Sequence, residues 1–334
     1  MRRRRYGRLD LGGEIEIPRI ASIRDVLVVP SPGFRASEQE WLNYPPVEAA
    51  VDLGRGVRIE CVEAALAEQV MNASTPRGLN FEATRQFGQL YSFVREVPKT
   101  ERESWFAWDT SQAISEAVAL SRFVLDNGHS LEFAGRVIDR TDGSRQIAPL
   151  SQYDGVIAYR ARKDRDWLTI EEAEELHTLL DDYRAVKNTL SDRVKWAFWY
   201  ADRSCYSRYV HEAIVNVTTG LEALLNTGDD EPVAKQFKIR SQALAAELGI
   251  STSKRYWTRL YEIRSGAVHG APVKLLIPIG SDGTQGDPPK DFAKIAKAQD
   301  VLRAAIRRAV EDDAFRAVFE NDDAIRERWP LDAS

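Results

Sequence analysis

The stretch SRYVHEAIVNVTTGLEALLN, residues 207–226, decides the fold of the second half of this 334-residue chain. Its apolar residues recur at intervals of three and four, which is the spacing of a helix with one buried face. Asn226, Thr227 and Gly228 close the stretch in the manner of a helix end. Helical patterns continue on both sides of it. The sequence therefore predicts an all-α bundle over residues 166–334.

Further helices are predicted around this stretch. Thr169, followed by an acidic turn, predicts a capped helix in TIEEAEELHTLLDDYRAVKNTL. The runs DRVKWAFWYADRSC, VAKQFKIRSQALAAELG and TSKRYWTRLYEIRSGAVHG also have helical periodicity, and KDFAKIAKAQDVLRAAIRRAVEDDAFRAVF predicts one long closing helix. Trp196, Trp199 and Trp257 fall within these patterns, and we expect them in the core.

The first half of the chain mixes strands with helices. EIEI, DVLVV and GVIAYR are short and β-branched, which suits strands. LEFAGRVIDR and RQIAPL flank TDGS, whose Asp-Gly pair predicts a hairpin. Helical spacing is present from Arg58 to Met71 and in TSQAISEAVALSRFVLDN, where Thr110 or Ser111 is the expected cap. The predicted fold is α+β, with a mixed α/β N-terminal domain at residues 1–165 before the bundle.

Composition and charge exclude several classes of protein. The net charge is −5, so no global basic field points to nucleic acid. No apolar run follows the basic head Arg2–Arg5 and no stretch approaches 18 apolar residues, so we expect neither a signal peptide nor a membrane span. Cys61, Cys205 and four histidines are little material for a zinc site, and no phosphate loop is present. We expect a cytoplasmic protein without a metal or cofactor.

The stretch LYEIRSGAVHG, residues 260–270, places Arg264 and His269 near the end of one predicted helix. Histidine can transfer protons near neutral pH, and arginine can stabilise charge on phosphoryl oxygens. An offset of five residues is about 140° of helical rotation. The two groups therefore converge only if the helix loosens at Gly266 or if two copies of the chain combine them. The alternative is an ordinary helix end, where a histidine cation meets the helix dipole.

Three other residues are candidates for the same site. Tyr261 precedes Arg264 by one helical turn, and we expect it to brace the arginine or stack a base, or otherwise to pack in the core. His211 and Glu222 are eleven residues apart on one helix, so they share a face to within about 20°. These two either line the cleft, have a buried and hydrogen-bonded supporting role, or are simply exposed.

Three stretches taken together resemble the HEPN family, and more closely its ApeA-like branch. GLEALLN, residues 220–226, is similar to the Leu-Glu-x-Leu-Leu helix of the family, and FKIRSQALAAELG to the following helix, with Arg240 in its expected place. RLYEIRSGAVHG is similar to the terminal signature Tyr-x-x-Arg-Ser-x-x-Val-His-Gly. The resemblance covers roughly residues 168–319. Many catalytic members of the family have Asn, Asp or His directly after the arginine. This chain has Ser265 there, as in the ApeA-like branch.

The resemblance implies a dimeric bundle and, in many members, RNA cleavage without metal by an Arg-x4-6-His motif at the dimer cleft. Carried onto this chain, the catalytic residues are Arg264 and His269. The predicted function is a ribonuclease effector of a bacterial anti-phage defence or toxin system. The alternative is a non-catalytic HEPN module that dimerises and binds RNA, a nucleotide or a partner protein. Residues 1–165 are expected to sense a trigger or to restrain the nuclease, with a trigger or an antitoxin as the partner of this domain. The predicted supporting or substrate-binding residues are Tyr261, Ser265, His211, Glu222 and Arg240.

Overall fold

The protein is described by a computed structural model. The described residues are 19–28, 47, 49–74, 90–97, 108–127, 134–150, 167–205, 207, 210–228, 232–270 and 292–331. The predicted strands EIEI and GVIAYR, the Arg2–Arg5 head and the predicted domain boundary at residues 165 and 166 lie outside these ranges.

Within the described ranges, six strands form one antiparallel sheet in the order β2-β3-β4-β1-β5-β6. The strands are β1 Ile20–Val28, β2 Val51–Asp52, β3 Val57–Val62, β4 Leu90–Glu96, β5 Ala134–Arg140 and β6 Arg145–Pro149. The predicted strand DVLVV is confirmed as the end of the central strand β1, up to Val28. The predicted hairpin is confirmed by β5 and β6, whose turn has Gly143 at φ +83°, a conformation that favours glycine.

The described residues also form ten α-helices and one short 3-10 helix. The helices are α1 Ala64–Ser74, α2 Trp108–Val124, α3 Ile170–Val186, α4 Asp192–Cys205, α5 Val210–Leu225, α6 Val233–Glu247, α7 Lys254–Val268, α8 Phe292–Glu311, α9 Asp313–Ala317, the 3-10 helix Val318–Glu320 and α10 Asp322–Arg328. The α+β class is confirmed. Thr169 caps α3 as predicted, because its hydroxyl accepts from the N–H of Glu172 at 3.4 Å and the Glu172 carboxylate accepts from the N–H of Thr169 at 2.9 Å.

Helices cover both faces of the sheet. Val26, Val28, Val94 and Val137 point to one face, where they pack against the apolar side of α1. The opposite face carries Leu27, and its apolar residues pack against α2. Because α2 also contacts α3, α4 and α8, one continuous apolar core runs from the sheet through α2 into the helical half of the chain.

Ion pairs fasten α2 to the helical half. Glu116 accepts from Lys187, the C-cap residue of α3, at 3.1 Å, and Arg122 pairs with Asp202 of α4. Asp126, just after α2, pairs with Arg303 of α8 at 3.1 Å. These ion pairs hold α2 between the sheet and the helices of the second half of the chain.

The predicted helix from Arg58 to Met71 is wrong in its first part. Residues 57–62 form strand β3, and α1 begins only at Ala64. Val57 and Ile59 are buried in the core, whereas Arg58 and Glu60 pair on the other face at 2.6 Å. The alternating burial is that of a strand, and it overrides the helical spacing of the later residues.

Two predicted helix boundaries are also wrong. Helix α2 begins at Trp108, so neither Thr110 nor Ser111 is its cap. The long closing helix ends at Glu311, and Asp312 starts α9 by accepting from the N–H of Phe315 at 3.0 Å. This break turns the chain so that Phe315 enters the core.

The tryptophans of the helical half divide into two groups. Trp257 is fully buried and contacts Phe237 with ring centroids 5.9 Å apart, which confirms the expected core position. Trp196 and Trp199 are 56% and 44% exposed, so their predicted core positions are wrong. Both lie on the outer face of α4, whereas Val194 and Ala197 of the same helix are buried.

Candidate functional site

Helix α7 positions the predicted catalytic pair. Ser253 caps its start by accepting from the N–H of Tyr256 at 3.2 Å, and the buried Trp257 and Leu260 anchor it in the core. The helix is continuous through Gly266, and the N–H of His269 still donates to the carbonyl of Ser265 at 3.0 Å. Helix α7 therefore does not loosen at Gly266, so a single copy does not bring both side chains to a common point.

Arg264 is held against α5 and its own helix. Its Nη2 donates to Oε2 of Glu222 at 3.2 Å, and its Cζ lies 5.7 Å from the centroid of the Tyr261 ring. The Arg264 side chain is 24% exposed and that of Glu222 is 11% exposed. The guanidinium thus remains partly accessible to solvent while two neighbouring groups fix its direction.

The Glu222–Arg264 pair is only partly satisfied. Among the described residues, Oε1 of Glu222 and Nε of Arg264 are buried without a hydrogen-bond partner. Burial raises the pKa of the Glu222 carboxyl, and the nearby Arg264 opposes this rise only in part. A single hydrogen bond therefore joins the two groups where a bidentate pair would use both oxygens.

Tyr261 braces the arginine and also packs inward. Its ring lies 5.3 Å from that of Phe237, centroid to centroid, and Lys238 Nζ of α6 lies 5.7 Å from the same ring. Two cations, Lys238 and Arg264, thus share one aromatic ring. The bracing and packing roles that the sequence left open are both present. Lys238 did not emerge from the sequence, although it is two residues from Arg240 in the same stretch.

His269 and Ser265 mark the exposed end of the helix. His269 is the C-cap residue of α7 and is exposed, and Gly270 follows at φ +75°. Ser265 is partly buried and contributes its backbone carbonyl to this end. The imidazole is consequently open to solvent at the C-terminal end of α7.

Helix α5 carries the remaining predicted site residues apart from Arg240. His211 and Glu222 both lie on its partly buried side, one near its start and one near its end. Eleven residues of helix separate them by about 16 Å along the axis. Glu222 is brought to Arg264, whereas His211 lies about three turns away along α5.

Arg240 lies inside the protein. It is 1% exposed and donates to the carbonyls of Leu225 and Trp329 at 2.8 and 3.2 Å, and to Thr227 Oγ1 and Gln236 Oε1 at 3.0 and 2.7 Å. These bonds tie α6 to the carboxyl end of α5 and to the chain after α10. Arg240 therefore supports the helix that carries Glu222 and does not reach a surface substrate.

Within the described ranges, no helix is long and apolar enough to cross a membrane. The same ranges contain no group of three His, Cys, Asp or Glu side chains suited to hold a metal ion. Comparisons of the chain with protein-family models, with curated proteins and with solved structures find no match.

Proposed function

We propose that this protein is a metal-independent ribonuclease of the HEPN type, an effector of a bacterial anti-phage defence or toxin system. The observation that carries the proposal is the environment of Arg264, which is oriented by Glu222 and Tyr261 yet 24% exposed, on the helix that ends in the exposed His269. An oriented cation and a titratable imidazole are the two groups that RNA cleavage by the 2′-hydroxyl requires.

The two groups take separate roles in this reaction. His269 transfers a proton at the 2′-hydroxyl or at the leaving 5′-oxygen, since imidazole titrates near neutral pH. Arg264 holds the phosphate and stabilises the negative charge that grows on its oxygens. The bond between phosphorus and the 5′-oxygen breaks as the bond to the 2′-oxygen forms, which leaves a 2′,3′-cyclic phosphate.

A homodimer completes the site in this proposal. Helix α7 is regular, so Arg264 and His269 of one copy point about 140° apart. Arg264 of one copy and His269 of the other meet if the ends of the two α7 helices face each other across a cleft. The substrate is a loop or end of single-stranded RNA, whose flexible backbone brings the 2′-hydroxyl in line. The N-terminal half then acts as the sensor, since α2 is fastened to the bundle by ion pairs.

One observation favours the alternative of a non-catalytic HEPN module. The Glu222 carboxylate already occupies one side of Arg264, at 3.2 Å, and an RNA phosphate has to compete with it. A cation paired in this way is suited to binding a nucleotide or a partner with modest affinity, and such a module needs no proton transfer by His269.

Cleavage of a labelled single-stranded RNA by the purified full chain in excess EDTA separates the two functions. We expect 2′,3′-cyclic phosphate ends, a loss of roughly a hundredfold or more in His269→Ala, and a large loss in Arg264→Lys, because a point charge does not replace the planar fork. The matched control is Arg259→Lys, which changes a half-exposed arginine of the same helix that pairs with Glu262.

Two results would contradict the ribonuclease proposal. One is intact RNA after prolonged incubation, together with a His269→Ala variant that has no effect on growth of the expressing cells. The other is cleavage that His269→Ala and Arg259→Lys reduce equally. RNA binding that survives His269→Ala, without cleavage by the unchanged chain, would support the binding module.

A further inference from the structure

The outer face of α4 presents two exposed aromatic side chains. Trp196 and Trp199 are the exposed large aromatic residues among those whose side-chain burial the structure describes. At 100° per residue, they lie with Asp192 and Arg203 within about 60° of arc around the helix. These four residues, termed the α4 stripe, place an acid at the amino end, two indoles in the middle and a base at the carboxyl end.

Neighbouring rings hold the α4 stripe in a fixed arrangement. The rings of Trp196 and Trp199 meet edge to face with centroids 6.0 Å apart, and Tyr200 supports Trp199 at 4.8 Å. The guanidinium of Arg203 lies over the Trp199 ring at 5.0 Å. Preorganised side chains lose little conformational entropy on binding, and tryptophan is the residue type that contributes most to protein–protein contacts. The α4 stripe therefore has the properties of a docking surface.

The charge pattern of the α4 stripe is complementary to itself. When two copies of a helix pack antiparallel across a two-fold axis, residues at equal distances on opposite sides of the helix midpoint face each other. The midpoint of the α4 stripe lies between residues 197 and 198. Asp192 of one copy then faces Arg203 of the other, and Trp196 faces Trp199. Both charges meet the opposite sign, and the indoles bury one another at the centre.

We propose that this chain associates with a second copy of itself through the α4 stripe. Single-stranded RNA is the competing occupant, because indoles stack on bases and Lys195 and Arg203 attract phosphate. Asp192 decides between the two occupants. Its side chain is 92% exposed and its contact with Lys195 is 3.9 Å long, so it repels a phosphate backbone but supplies the charge that a two-fold contact requires.

This contact is separate from the proposed cleft at α7. Tyr200 of α4 lies against Gly220 of α5, whereas Glu222 of α5 pairs with Arg264 of α7. Gly220 and Glu222 are about 200° apart around α5. Since α4 and α7 pack on different flanks of α5, the α4 contact neither depends on the ribonuclease proposal nor replaces its dimer.

Sedimentation velocity of the full chain over a range of micromolar concentrations tests the proposal. We expect Trp196→Glu and Trp199→Glu each to halve the mass of the assembly, because a carboxylate at the centre of the contact is buried without a partner. The matched control is Ile170→Glu, which adds the same charge at an exposed apolar residue of α3 and leaves the mass unchanged. A monomeric wild-type chain, or Trp196→Glu at the wild-type mass, overturns the proposal.

A charge exchange tests the antiparallel register. Asp192→Arg and Arg203→Asp each place like charges opposite one another, and we expect either to weaken association roughly tenfold or more. The double variant restores the opposite signs and the wild-type association, which a general loss of stability cannot do. Failure of this rescue overturns the register. Trp196→Glu that lowers affinity for a uridine oligonucleotide at unchanged mass assigns the α4 stripe to nucleic acid and overturns self-association.

Discussion

Arg240→Met tests whether Arg240 supports the fold around the site or contacts a substrate. Arg240 is 1% exposed, and within the described part of the chain its guanidinium makes four hydrogen bonds, to Leu225, Thr227, Gln236 and Trp329. The substitution removes the hydrogen bonds that connect α6 to the end of α5. Because Glu222 lies on the last turns of α5, the loss affects the site only through the stability of this helix.

The magnitude follows from the four bonds. Hydrogen bonds from a charged donor contribute about 1.5–3 kcal/mol each, or about 6–12 kcal/mol in all. Desolvation of the buried guanidinium, which costs several kcal/mol, offsets much of this sum, and methionine fills part of the volume. We therefore expect Arg240→Met to lower the free energy of unfolding by about 2–5 kcal/mol. With a urea m-value of about 3 kcal/mol per M, the midpoint falls by about 0.7–1.7 M.

Urea unfolding followed by circular dichroism measures this change. The control Arg259→Met alters a half-exposed arginine that has an ion pair with Glu262. We expect this variant to change the free energy of unfolding by less than about 0.5 kcal/mol. RNA binding per folded molecule should remain unchanged in Arg240→Met. A variant that keeps the wild-type midpoint but loses RNA binding would refute the reasoning, because Arg240 would then contact the substrate.

Two further predictions concern α5. In Gly220→Ala the new methyl group lies 2.6 Å from Cδ2 of Leu302 and 3.2 Å from Cβ of Tyr200, so we expect about 1–3 kcal/mol of overpacking, reduced by about 1 kcal/mol of better helix propensity. Thermal unfolding checks this, and strict additivity of Gly220→Ala with Leu302→Val would contradict it. Because burial raises the pKa of Glu222, the folded state keeps this proton longer than the unfolded state, so its contribution to stability falls as pH rises from about 4.3. As pH increases from 5 to 7, the free energy of unfolding of Glu222→Gln should therefore rise relative to that of the wild type. Urea unfolding at several pH values measures this difference, and a difference that does not change with pH would contradict the raised pKa.

The helices of the second half were predictable because their local signals agree. Helices α5, α6 and α7 have one apolar face each, and the chain turns at Gly249 after α6 and at Gly270 after α7, with φ of +72° and +75°. Strand β3 was missed because it adjoins α1 after one residue, so a single window spanned both elements and the helical half dominated it. The break at Asp312 was missed because an aspartate in a charged run suits a solvated helix face as well as a cap.

The exposure of Trp196 and Trp199 could be predicted from the sequence by placing the residues of α4 on a helical wheel. Both share their face with Asp192 and Arg203, whereas Val194 lies on the opposite side. The expectation of a core position treated tryptophan as apolar without regard to its neighbours on the wheel. In contrast, the contact between Glu222 and Arg264 joins residues 42 positions apart. Helical spacing gives the face of each residue on its own helix, but the packing of α5 on α7 decides which residues meet.

The Glu222–Arg264 pair sets the balance between the two candidate functions. A carboxylate beside a phosphate-binding arginine weakens the attraction for an anion, which favours a module of modest affinity. Burial disfavours the ionised form of Glu222, however, and an approaching phosphate brings a second negative charge that disfavours it further. If RNA binds at Arg264, we expect Glu222 to take up a proton, which would release the full charge of Arg264 to the phosphate. In the proposed ribonuclease this exchange would occur when the substrate enters the cleft, and the pair that holds Arg264 in position in the free protein would also mask its charge until RNA arrives.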